Sequence, residues 1–249
     1  MKARIKFAKY GVIRFIGHLD LMRYFQKAVR RAGIDIAYSE GYNPHQIMSF
    51  ASPLGLGITS DGEYLDIALN SDIDKDDIVN ALNAQMVDGV KILDFVKLKD
   101  EAKKSMSKVA AADYVVKIKD DYLDASYIGK EEIFKQKFEE FMAQDEIVIL
   151  KKSKKTENEV NIKPMIIEYS FEDKLSAESV IDNFNNKYYV YFKVQAGSVT
   201  NLKPELIMEA FCNYLNKEYN KYTYQVHRLD MYATDENDVL KSLNDTDIL

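Results

Sequence analysis

The chain has 249 residues, 47% of them hydrophobic, with 34 Lys and Arg against 40 Asp and Glu, a formal net charge of −6. This size and apolar fraction fit a folded chain of one large or two modest domains and exclude collagen-like, mucin-like and disordered classes. The single Cys212 excludes an internal disulfide framework and any cluster of three or four thiolates around zinc or iron and sulfur, which points to a reducing, cytoplasmic setting.

From the first residues, Ala3, Ile5 and Phe7 alternate with Lys2, Arg4 and Lys6, the period of a half-buried strand with a basic outer face. This start has no continuous apolar stretch of the kind a signal peptide needs. No later run reaches the length of a membrane span, so neither secretion nor membrane insertion is expected. Over residues 19–32 the period changes. Met22, Phe25, Val29 and Ala32 share one helical face, Asp20, Arg23, Lys27, Arg30 and Arg31 take the other, and Gly33 stops the helix.

A strand is expected within residues 36–50, interrupted by a turn at Gly41, Asn43 and Pro44. The loop Pro53-Leu54-Gly55-Leu56-Gly57 follows, then a strand over 64–69, a helix over 75–86 and a strand over 90–96. The order then repeats with a strand over 114–119, a helix over 131–142 carrying Phe134, Phe138 and Phe141 on one face, and a strand over 146–151. A strand over 188–194, a helix over 204–216 opened by Pro204 and a strand over 224–229 complete the pattern. Two successive βαββαβ units predict an α+β chain of two tandem ferredoxin-like domains, each an antiparallel sheet under two helices. The expected limits are residues 1–100 and 108–233, the second with an insertion over about 152–186. Residues 234–249, with five acids and one lysine, read as an acidic tail or a weak terminal helix.

Charge is unevenly placed. Residues 1–50 hold nine basic side chains and three acidic ones, a local net charge of +6, while residues 61–101 hold eleven acids and four lysines, a local −7. Five of the six arginines precede residue 32. Arginine makes forked contacts to phosphate or carboxylate that lysine does not, so this bias points to a local anionic partner, or else to an ordinary solvated helix face.

The candidate chemistry lies in the same stretch. His18 and Asp20 stand at the start of the first helix, where the dipole favours a neutral imidazole and a carboxylate. Tyr38, Ser39, Gly41, Asn43 and His45 belong to a turn dense enough in Gly, Asn and Pro to present backbone N–H groups and short side chains to a ligand, or to serve only as a turn. Gly55 and Gly57, with Glu63 beyond them, lack the lysine of a P-loop and the spacing of a dinucleotide fingerprint. In residues 187–195, Tyr189, Tyr191 and Lys193 fall on the face opposite Tyr188, Val190, Phe192 and Val194. Either they form an open stacking platform for single-stranded RNA or they are covered. The run Lys151-Lys152-x-Lys154-Lys155 reads as a solvated loop.

The succession Gly17-His18-Leu19-Asp20, Arg30-Arg31-Ala32, Tyr38-Ser39-x-Gly41-Tyr42-Asn43-Pro44-His45, Pro53-Leu54-x-x-Gly57 and Ser60-x-x-Glu63-Tyr64-x-Asp66 resembles the radical-SAM-linked family of bacterial domains of unknown function. Departures fall at Tyr42, where phenylalanine is usual, and at Asn161 and Lys163, where Asp and Arg are expected. The resemblance implies a radical S-adenosylmethionine (SAM) enzyme as partner, and no residue cluster of this chain implies a cofactor or a metal. At fold level, tandem ferredoxin-like units are also similar to the metal-independent RNA-processing endonucleases of CRISPR systems. The leading expectation is an RNA- or tRNA-binding accessory to a radical SAM modification enzyme, with Arg23, Arg30, Arg31, Tyr38, Ser39, Gly41, Asn43, Gly55, Gly57 and Glu63 contacting the ligand. The alternatives are a protein-interaction adaptor without RNA binding, and a metal-independent RNA-processing enzyme using His18, Asp20 and His45.

Overall fold

The computed structural model describes residues 1–99, 101–123, 130–152, 157–181, 187–246 and 248. The run of lysines at 151–155 lies largely outside them. β1 (Lys2–Lys9) leads through a short 3-10 helix (Gly11–Phe15) into α1 (His18–Arg31). After the turn come β2 (Met48–Phe50), β3 (Thr59–Ala68), α2 (Lys75–Asn83) and β4 (Val90–Leu98). A single helical turn, α3 (Ser105–Lys108), connects to β5 (Ala111–Ile118) and α4 (Glu131–Met142). β6 (Val148–Lys152) and β7 (Glu157–Asn161) form a separate hairpin, followed by β8 (Ile166–Ser170) and β9 (Tyr189–Gln195). α5 (Pro204–Tyr214), β10 (Tyr224–Thr234) and β11 (Leu240–Ser242) complete the chain. No described helix is long and apolar enough to cross a membrane.

The expected pair of antiparallel sheets does not form. Among the described residues, nine strands make one mixed sheet in the order β4-β1-β3-β10-β5-β9-β8, with β2 on β3 and β11 on β10. The joint is a short parallel pairing of His227 with Thr59 and Arg228 with Ser60. The physical reason lies in β2. The turn takes up most of residues 36–47, so β2 is only three residues long and pairs with the far end of β3, at Leu65 to Ile67. The first half of β3 is left with an open edge, and β10 closes it. Gly62 permits the close approach: a Cβ there would stand 2.5 Å from the Asp230 Cα. The last residues, expected as a tail or terminal helix, contain β11 and bury Leu243 and Ile248.

Two apolar cores occupy the helix-bearing face. Phe7, Phe25 and Phe50 meet with ring centroids 4.8 to 5.8 Å apart beneath α1. Phe138 sits amid Phe141, Phe192 and Phe211 at 4.8 to 5.7 Å beneath α4 and α5. Between the cores lies a polar seam. Arg228 donates from Nε and Nη2 to Glu63 Oε1 at 2.9 and 2.5 Å and from Nη2 to Ser52 O, with both side chains under 5% exposed. Burial works against the Arg228 charge, and Glu63 together with Tyr114 more than offsets it. Lys9, 2% exposed beside this pair, donates to Ile16 O at 2.8 Å, and burial lowers its pKa.

The seam should behave as one unit. Arg228→Met strands a buried Glu63 carboxylate and is expected to cost about 3–5 kcal/mol in urea unfolding, with Glu63→Leu/Arg228→Met recovering most of that loss. Single variants within about 1 kcal/mol of the parent would remove the seam from the account of stability.

Candidate functional site

The face of the sheet away from the helices carries a second set of buried charges. Arg4, expected on a solvated strand face, is fully buried, with Nε 2.7 Å from Asp66 Oδ1 and Nη1 donating to Leu243 O. Lys6 Nζ stands 3.0 Å from Asp230 Oδ2, and Asp230 also accepts from Tyr64 and Ser242. Next to it, Asp113 accepts from Tyr191 (3.2 Å), Tyr232 (2.7 Å) and the Asp230 N–H (2.8 Å). Burial pushes the Asp113 carboxyl up to about 6, opposed by the Tyr232 bond and reinforced by the Asp230 charge. Burial, followed by the Asp113 charge, likewise raises both phenols. Lys193 Nζ lies 4.3 Å from the Tyr232 ring centroid.

Lys6, Asp113, Tyr191, Lys193, Asp230 and Tyr232 line an open cavity of about 800 Å³. The segment after β8 crosses it: Lys174 reaches the Tyr191 ring and the Val180 N–H donates to Asp61 Oδ1 at 3.0 Å. Tyr191 is therefore 4% exposed and not available to stack a base. Beside the cavity His227, fully buried, bridges Asp61 (Nε2, 2.9 Å) and Thr59 (Nδ1, 2.9 Å). A carboxylate only accepts, so Nε2 carries a proton. Burial alone would raise the Asp61 pKa, but the His227 bond and charge with the Val180 N–H lower it.

The sequence-predicted residues do not form one cluster. His18 is exposed and packs edge-on against Phe50 at 5.2 Å, with Asp20 and Arg23 exposed as a 3.4 Å pair beyond it. Arg30 is exposed, while Arg31 bonds the Gln85 backbone and side chain and ties α1 to the end of α2. Tyr38 accepts from Gln46, and Gly41, at φ +108°, and Asn43 lie exposed at the turn. Ser39 Oγ is 2.9 Å from His45 Nδ1 and accepts the His45 N–H at 3.1 Å, and both residues line a cavity of about 430 Å³. Glu63 is committed to Arg228. Asn161 Oδ1 accepts from the Ile147 and Lys163 N–H groups, so its place is at a turn.

Gly57 belongs to a different setting, while Gly55, exposed in the same loop, accepts the Ile58 N–H. Gly57, at φ +84°, donates to Arg14 O at 2.9 Å and lines a groove of about 480 Å³ where the parallel strands β3 and β10 begin. Arg14, Phe15, Thr59, Lys119, Lys221 and Tyr222 line it too. The Arg14 guanidinium lies 4.8 Å from the Phe15 ring and Lys221 Nζ 5.0 Å from the Tyr222 ring. Lys119 Nζ donates to Tyr222 O at 2.7 Å and lies 5.9 Å from the Tyr122 ring. Phe15 and Tyr222 are 61% and 60% exposed. The basic set of residues 1–50 thus divides, with Arg4 and Lys9 buried in the sheet and Arg14 at this groove.

A family model described as an uncharacterised protein conserved in bacteria (DUF2344) matches residues 2–204. No curated protein matches the chain.

The raised Asp113 pKa sets a sign. An unfolded aspartate titrates near the ordinary 3.8 and the native one near 6, so this group's contribution is present at low pH and lost as pH rises through 6. The stability difference between the parent and Asp113→Asn should fall by about 2 kcal/mol from pH 4 to pH 7. Urea titrations at the two pH values measure it, and a difference that stays constant removes the shift.

Proposed function

The chain belongs to this family of uncharacterised bacterial proteins, and from that premise we propose that it binds single-stranded RNA or tRNA and presents it to a radical SAM modification enzyme. The observation that carries the RNA reading is the groove at the start of β3 and β10. Two half-exposed rings, Phe15 and Tyr222, stand in it beside Arg14, Lys119 and Lys221, with Glu205 as the one acidic side chain among the described residues of its lining. Rings accept bases of any identity by stacking, and cations along the same track neutralise successive phosphates. Gly57 brings backbone close to the Phe15 ring: a Cβ there would lie 3.7 Å from the Phe15 Cε1. Arg23, Lys27 and Arg30 are exposed on α1, the helix that follows Arg14 and Phe15 in the chain, and add cations to the surface.

The partner class rests on the motifs of the first seventy residues. The metal-independent cleavage reading draws less support, because His18 packs on Phe50 while His45 bonds Ser39.

Fluorescence anisotropy of a labelled single-stranded oligoribonucleotide, titrated over salt, tests the groove. Phe15→Ala and Tyr222→Ala are each expected to weaken binding by about 5- to 150-fold, the equivalent of 1–3 kcal/mol per stacked base. Lys221→Ala should reduce the salt slope by about 0.7. No anisotropy change, or binding independent of salt, overturns the reading.

A further inference from the structure

The cavity of about 430 Å³ that holds Ser39 and His45 lies at the opposite end of β3 from the RNA groove, against Asp66 to Ala68 rather than Thr59. At about 3.3 Å per residue the two ends are roughly 25 Å apart. Its walls are aliphatic: Ile47, which is 40% exposed, with Met48, Leu98 and Ala102. Its rim is cationic. Lys2, Lys103 and Lys104 line it, and Lys103 and Lys104 have no ion pair among the described residues. The only carboxylate among the described residues of the lining, Asp66, is already compensated, with Oδ1 on Arg4 and Oδ2 on the Ser105 N–H at 2.6 Å.

The dyad adds directed donors. Ser39 Oγ accepts the His45 main-chain N–H, and its own proton is available to His45 Nδ1. In that arrangement the neutral ring carries its proton on Nε2, which has no partner among the described residues. An aliphatic chamber with uncompensated ammonium groups, an imidazole N–H and a hydroxyl is complementary to an amphiphilic anion. Lysines act as point charges, and two of them match the nearly double negative charge of a phosphate monoester, where a carboxylate carries one. The arginine nearest by these contacts, Arg4, is fully buried in the sheet, with Nε on Asp66 and Nη1 on Leu243 O. The volume falls in the range of small-ligand sites.

We propose that this cavity binds a phosphate monoester attached to an apolar body, held by Lys103, Lys104 and His45, with Ser39 positioning the imidazole. The proposal does not depend on the RNA groove. Its phosphate has two sources, a free phosphorylated small molecule or the terminal phosphate of a nucleic acid.

Titration of the full chain with 1-naphthyl phosphate, followed by naphthyl fluorescence, is the test, with 1-naphthol as the uncharged control. Saturable binding is expected for the phosphate and not for the naphthol, and inorganic phosphate should compete. Lys103→Ala/Lys104→Ala and His45→Ala are each expected to weaken binding about tenfold or more, while Phe15→Ala, in the RNA groove, leaves it unchanged. Both sets of variants alter exposed side chains, and equal thermal midpoints exclude a folding defect. Displacement by a 5′-phosphorylated oligoribonucleotide but not by its 5′-hydroxyl form assigns the phosphate to nucleic acid. Displacement by inorganic phosphate alone assigns it to a small molecule. Equal binding of naphthol and naphthyl phosphate, or full affinity in both variants, overturns the proposal.

Discussion

The Arg228–Glu63 pair is the contact on which the rest of the sheet depends. Each residue belongs to a different half of the chain, and the parallel pairing of β3 with β10 brings the two together on the helix-bearing face between two aromatic cores. Ionised side chains that lose water at such a place must be matched closely, because an unpaired charge in the interior costs several kcal/mol. Their geometry therefore sets how far β10 slides along β3. A slip of one residue would turn Arg228 to the opposite face and separate it from Glu63.

Two features of the surface follow from that register. At the amino-terminal end of the parallel pair, the strands leave the groove lined by Phe15, supplied by the 3-10 helix, and Tyr222, supplied by the turn before β10. On the face away from the helices, the bulge in β10 between Arg228 and Asp230 reverses the alternation. Arg228 then points to the seam while Asp230 and Tyr232 join Asp113 on the other side. The segment after β8 seals part of that face through Asp61, so the tyrosines there act as hydrogen-bond donors to a buried carboxylate and not as stacking surfaces.

The turn at residues 39–45 illustrates how one short motif serves two ends. Its Gly41 takes a left-handed backbone, and the Ser39 hydroxyl is held between the His45 N–H and ring, which closes the loop locally. The same closure shortens β2 and so leaves β3 the open edge that β10 occupies. Local turn chemistry thus has a consequence for topology that lies almost two hundred residues away in the chain.

The sequence by itself determined the local elements. The 3.6-residue period placed α1 with Phe25 and Val29 inward, the three phenylalanines marked α4, and alternation put Ala3, Ile5 and Phe7 in the core, because these signals depend only on neighbours along the chain. Asp113 within an otherwise largely apolar strand, and the run His227, Arg228 and Asp230 within another, were visible marks of buried polar chemistry. What they paired with was not legible there. Whether Arg4 and Lys6 face water or carboxylates, whether two sheets stay apart or share an edge, and which of the Gly17–Asp66 motifs stand together were decided only by tertiary contacts. Those contacts join residues 62 to 239 positions apart, and alternation or charge along one segment carries no information about the partner strand that will neutralise it.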